Sequence, residues 1–125
     1  MKSTVLIVDD DPVARRRLCT RLESEGFRTL VAANGREALS VLEDQLPSLI
    51  MIDLAMPVMD GWKLMQALRC YEELASIPIV LMSEGEGQDV AAQAPQIPLV
   101  RKPLDRDEAF EALRFTLSRL TASAA

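Results

Sequence analysis

The strongest constraint on this chain is a series of short runs that are apolar at consecutive positions rather than at alternate ones. Val5 to Val8, Leu49 to Ile52 and Ile79 to Met82 have this form, while Thr29 to Ala32 is more mixed and Leu99 to Val100 is shorter. A strand with one face in water alternates apolar and polar residues; a strand covered on both faces does not. Between the runs the period lengthens to that of a helix. Ala14, Leu18 and Leu22 fall on one stripe, as do Ala38, Leu42 and Leu46, then Leu64, Met65 and Leu68, and finally Phe110, Leu113, Leu117 and Leu120. Buried strands alternating with helices require parallel pairing through crossovers, with helices over both faces. The expected fold class is therefore α/β, a doubly wound five-stranded parallel sheet.

Helix starts are marked by short polar residues ahead of Pro or Gly: Asp11 before Pro12, Asn34 before Gly35 and Asp60 before Gly61. Such side chains satisfy free amides of a first turn, and this capping role is preferred to a functional one for Asp11 and Asp60. Asp105 with Glu108 has the form of a cap with a reciprocal acidic partner. With 125 residues the chain makes one domain, expected over 1–121, with 122–125 as a frayed tail.

The net charge of -5, with Lys and Arg scattered, removes the electrostatic basis for nucleic-acid binding and suggests protein partners or cations. No apolar stretch is long enough to span a bilayer and none resembles a signal peptide, so no membrane partner and a cytoplasmic location are expected. Cys19 and Cys70 lack paired spacing and are expected to be buried small hydrophobes. The absence of histidine removes the commonest general base and transition-metal ligand, so any metal is held by oxygen.

Asp9 and Asp10 follow the first apolar run, Asp53 the third, Ser83 the fourth and Lys102 the fifth. In a parallel sheet these positions share one edge, outside the carboxyl ends of the strands, where open α/β sheets bind ligands. Three carboxylates brought together repel one another unless a cation compensates, and Mg2+ suits an open acidic pocket with few protein ligands. A carboxylate can also attack phosphorus and carry the phosphoryl group as an acyl phosphate. Asp53 is placed for that role, with the Lys102 ammonium and the Ser83 hydroxyl positioned to meet the transferring oxygens.

These residues give the chain a resemblance to response-regulator receiver domains over essentially its whole length. The resemblance rests on Val5 to Asp11, on Asp53 to Gly61, on Ser83, and on Lys102 with Pro103. It implies the strand order 2-1-3-4-5 of a flavodoxin-like sheet. It further implies Asp53 as phosphoacceptor, Asp10 as a direct Mg2+ ligand, Asp9 as a contact through water, and the Ala55 backbone carbonyl as another ligand, with Mn2+ as a substitute metal. Lys102 takes the place of the phosphate-binding lysine, Ser83 that of the switch hydroxyl, and the peptide before Pro103 is one that is often cis in the family. The implied role is a signalling switch rather than an enzyme. It would receive phosphate from a histidine kinase or histidine phosphotransfer protein and change its affinity for a downstream protein.

Three departures accompany the resemblance. Leu99 stands where Tyr or Phe is frequent, which removes an aromatic rotamer switch. Glu84 follows Ser83 and adds negative charge near an incoming phosphate, so phosphorylation would be slowed or made dependent on the partner. The segment from Ser83 to Lys102 is short and contains Gly85, Gly87, Pro95 and Pro98, so its fourth helix is expected to be shortened or irregular. The rival to a phosphorylation switch is an atypical receiver acting as a constitutive interaction domain. A phosphohydrolase using an aspartyl phosphate is a further rival, for which the sequence offers no positioned acid, base or substrate-binding element.

Overall fold

In the computed structural model, residues 3–56, 59–84, 96–102 and 107–124 are described. Five strands, β1 (Thr4–Val8), β2 (Arg28–Ala32), β3 (Leu49–Asp53), β4 (Ile79–Ser83) and β5 (Leu99–Arg101), form one sheet. All neighbours pair in parallel and the order is β2-β1-β3-β4-β5. The helices are α1 (Pro12–Ser24), α2 (Gly35–Asp44), α3 (Gly61–Arg69), the short α4 (Glu72–Ala75) and α5 (Asp107–Ala124). This is the expected doubly wound, flavodoxin-like arrangement. The helix expected between β4 and β5 falls on 85–95, outside the described residues.

The sheet divides its side chains between two cores with a period of two. Val5, Ile7, Leu49, Met51, Val80 and Met82 pack with Leu18 and Leu22 of α1 and with Phe110, Leu113 and Leu117 of α5. Leu6, Val8, Ile50, Ile52 and Leu81 pack on the other face with Ala38 and Leu42 of α2 and with Leu64, Met65 and Leu68 of α3. The central strands β1 and β3 thus bury both sets of side chains, which is why they read as unbroken apolar runs. β2 is an edge strand, and its mixed composition matches the exposure of Val31.

The caps form at the anticipated residues. Asp11 accepts from the Val13 and Ala14 amides, Asn34 from Glu37, and Asp60 from Lys63. Glu37 returns the favour by accepting from the Ala33 amide at 3.2 Å, a reciprocal cap at α2. The corresponding pair proposed at Asp105 and Glu108 lies outside the described side chains. At the other end of α1, Phe27 donates to the Leu22 carbonyl and Gly26 to that of Glu23, with Gly26 at φ 98°. That double bond closes the helix through a left-handed residue that glycine adopts without a Cβ clash.

Three expectations need correction. Cys70 is exposed because it caps α3 two positions beyond the last buried residue, Leu68, whereas Cys19 is buried as expected. Leu46 leaves its stripe: α2 ends at Asp44, Gln45 is extended, and Leu46, held before Pro47, is exposed. The last helix continues through Ala124, since the alanines placed in the tail are strong helix formers.

Gly61 ties the packing to the sheet edge. A Cβ there would lie 2.4 Å from the Asp53 carbonyl oxygen and 2.9 Å from the Leu54 Cα, both backbone atoms. At Gly35 the same addition would lie 2.6–2.9 Å from the Met59 side chain, its Cβ included. Gly61→Ala is therefore expected to lower stability by about 1–3 kcal/mol through overpacking, as read from urea unfolding. Phe110 is fully buried beneath the Arg21 and Arg114 guanidinium groups, 4.6 and 5.4 Å from its ring centre. Phe110→Ala should cost about 3–5 kcal/mol in the same assay.

Candidate functional site

The sheet order reverses between β1 and β3, and the crevice at their carboxyl ends is where the polar residues gather. Three backbone bonds carry the parallel ladders past the strands and hold those residues. Asp9 donates to the Ala32 carbonyl at 3.1 Å, Leu54 to Met82 at 3.0 Å, and Lys102 to Ser83 at 2.8 Å. Asp53 and Ser83 are themselves the last residues of β3 and β4. Five positions scattered over the chain are thus aligned by strand register.

Asp9 (1% exposed), Asp53 (5%) and Ser83 (7%) are buried, whereas Asp10 is exposed. One carboxylate oxygen from each of Asp9, Asp10 and Asp53 lies within 4.8 Å of the others. The Lys102 ammonium sits between the two buried acids, donating to Asp9 Oδ2 at 2.8 Å and lying 3.6 Å from Asp53 Oδ2. The remaining oxygens have backbone partners: Asp9 Oδ1 accepts from the Asp11 amide at 3.0 Å and Asp53 Oδ1 from the Ala55 amide at 3.3 Å.

Burial pushes the Asp53 carboxyl up to about 6, and the charge of Asp9 adds to the rise; Lys102 and the Ala55 amide offset it in part. For Lys102 burial acts downward, but the hydrogen bond to Asp9 and the charges of Asp9, Asp53 and Glu84 outweigh it and hold the ammonium above its usual range. The cluster therefore carries two buried negative charges against one positive charge, which favours added positive charge at the cleft.

That cleft has a volume of about 710 Å³ and is lined by Asp10, Asp53, Ala55, Ser83, Glu84 and Lys102, all singled out in the sequence. Leu99, in register with Leu81, is half-buried against the α2 and α3 core. Asp60 and Trp62 also line the cleft; Asp60 caps α3 as expected, and Trp62 is half-buried against the same core. Two contacts were not legible in the sequence. One is the direct bond from Lys102 to Asp9. The other is Arg15, whose guanidinium donates to the Asp9 carbonyl at 2.8 Å. Nothing in the pattern of three successive arginines distinguishes the one that folds back over the β1 to α1 turn.

Residues 5–114 match the family described as the response regulator receiver domain. The chain belongs to that family. Receiver domains of response regulators act in two-component signalling, and this one shares 37% identity over 107 residues with the regulatory protein AtoC of Escherichia coli, covering 83% of this chain and 23% of AtoC. It shares 31% identity with the probable transcriptional regulator ycf27 of Porphyridium aerugineum, over 95% of this chain and 50% of that protein. The receiver domain thus spans half or less of the length of these two relatives. Among solved structures it resembles the signal receiver domain of a histidine kinase from Syntrophus aciditrophicus (TM-score 0.83, 30% identity, 97% of this chain and 91% of that one). It also resembles the response regulator TrrA of Thermotoga maritima in complex with Mg2+ and BeF (TM-score 0.79, 26% identity, 96% and 99% covered). No helix among the described residues is long and apolar enough to cross a membrane.

The raised Asp53 pKa sets a pH dependence. Its folded value of about 6 exceeds the unfolded value of about 3.9, so the folded receiver binds the proton more tightly. The resulting penalty, on the order of 2–3 kcal/mol, is complete above pH 6 and is relieved as pH falls through 6 toward 4. In metal-free buffer, Asp53→Asn should raise stability at pH 7.5 by about 1–2 kcal/mol and flatten this pH dependence in urea titrations.

Proposed function

We propose that this receiver domain accepts a phosphoryl group on Asp53 from a histidine kinase or histidine phosphotransfer protein and signals by changing its affinity for a protein target. The observation that carries this reading is the convergence of Asp9, Asp10, Asp53 and Lys102 at one strand edge, with Ser83 lining the same cleft. The donor set fits Mg2+. It is made of oxygens, Asp10 is exposed where the ion would retain waters, and the buried acids outnumber the one ammonium facing them. Asp10, Asp53 and the Ala55 carbonyl would hold the ion, with Asp9 reached through water. When bound it supplies positive charge that keeps Asp53 ionised and neutralises phosphoryl oxygens.

The protein groups then have separate tasks. An Asp53 carboxylate oxygen attacks phosphorus as the bond to the donor imidazole breaks, with the bonding pair leaving on the imidazole nitrogen. The Lys102 ammonium, already 3.6 Å from Asp53, is within a short side-chain movement of the new phosphoryl oxygens. The Ser83 hydroxyl donates to another, and that engagement favours one arrangement of the loops following β3, β4 and β5. Leu99 makes only a small adjustment, since no aromatic ring has to be buried. The output is binding, and the expectation of no nucleic-acid contact concerns these residues alone.

Intact-mass measurement after incubation with acetyl phosphate should show a single phosphoryl adduct that requires Mg2+ and is lost in Asp53→Asn. No adduct with acetyl phosphate or with a histidine kinase would overturn the assignment. Asp10→Asn should weaken Mg2+ binding at least about tenfold, followed by the fluorescence of Trp62, the single tryptophan and a cleft-lining residue.

A further inference from the structure

Glu84 is the acid in the cleft for which the reading above has no task. It directly follows Ser83 at the end of β4, is exposed, and lines the cleft together with Asp10, Asp53 and Lys102. Its charge reaches the Lys102 ammonium, where it adds to the fields of Asp9 and Asp53. The Lys102 ammonium already faces two carboxylates, and the Arg15 guanidinium is turned to the Asp9 carbonyl. A phosphodonor entering the cleft therefore meets the field of Glu84 in addition to that of the metal-binding acids. A bound cation compensates the latter at short range, whereas Glu84 stands on the opposite flank, beside the serine and the lysine.

We infer that Glu84 is a specificity-determining residue that selects phosphodonors by charge, disfavouring small dianionic donors relative to less charged ones. The inference rests on Asp53 being the phosphoacceptor. Like charges near a protein surface repel with an energy that falls with distance and salt, and a doubly charged donor feels twice the repulsion of a singly charged one. A protein donor that brings a basic side chain opposite Glu84 escapes the penalty, so the same residue favours a matched partner over free metabolite donors.

Acetyl phosphate and phosphoramidate separate the effect. With acetyl phosphate, a dianion at neutral pH, an Asp53 oxygen forms the new bond to phosphorus while the bond to the acetyl oxygen breaks and acetate leaves with the electron pair. With phosphoramidate, a net monoanion whose nitrogen already carries three hydrogens, the phosphorus to nitrogen bond breaks and neutral ammonia leaves. Phosphorylation rates of the wild type and Glu84→Gln with each donor, at low and high ionic strength and saturating Mg2+, test the inference. Glu84→Gln should accelerate reaction with acetyl phosphate about 3–10-fold at low salt and with phosphoramidate less than about twofold, and high salt should shrink the difference. Equal changes with both donors, or none with acetyl phosphate, would overturn the charge selection while leaving Asp53 as the acceptor. Wild type that forms no Asp53 adduct with either donor would remove both. Urea unfolding of Glu84→Gln should match wild type, since the side chain is exposed; a destabilised variant whose rates fall with both donors would also overturn the proposal.

Discussion

Two almost fully buried carboxylates, Asp9 and Asp53, face one ammonium, and much of the molecule serves to keep that imbalance in place. Like charges in a poorly solvated crevice would move apart if the backbone could yield. Here it cannot, because both acids stand at the ends of central strands whose side chains fill two cores. Lys102 offsets part of the repulsion from the neighbouring strand end, and the Asp11 and Ala55 amides absorb the remaining lone pairs. The site stores unfavourable electrostatics that packing on both sheet faces sustains.

That arrangement suits a switch better than a static binding site. A metal ion or a phosphoryl group bound there would change the charge balance by an amount comparable to the imbalance itself. Gly61 contributes by letting the start of α3 press against the Asp53 carbonyl, which fixes the strand end while leaving the carboxylate side toward the cleft. Rigid strand ends and adjustable side chains are the combination a population shift requires.

The likeness to receiver domains covers nearly the whole chain, and the departures from the family pattern fall at the ends of β4 and β5. Leu99 packs as an ordinary half-buried side chain in register with Leu81. Glu84 reaches the cleft instead of turning away from it. Both lie at the strand ends and leave the scaffold unchanged. A fold held by two apolar cores tolerates changes at the ends of its strands.

The fold class was legible in the sequence because burial on both faces leaves its mark on every residue of a strand: Val5 to Val8 and Leu49 to Ile52 could only be central strands. The acids, serine and lysine were legible as one site because parallel strands bring their carboxyl ends to one edge. The helix caps at Asp11, Asn34 and Asp60 were equally local, each needing only its own first turn. Contacts between distant segments were not legible. The direct bond from Lys102 to Asp9, the turn of Arg15 back to a carbonyl, the exposure of Cys70 and Leu46, and the place of Trp62 in the cleft depend on where helices end and how side chains meet across the sheet. Periodicity and composition record which face a residue prefers; only the packed structure decides which partner it finds there.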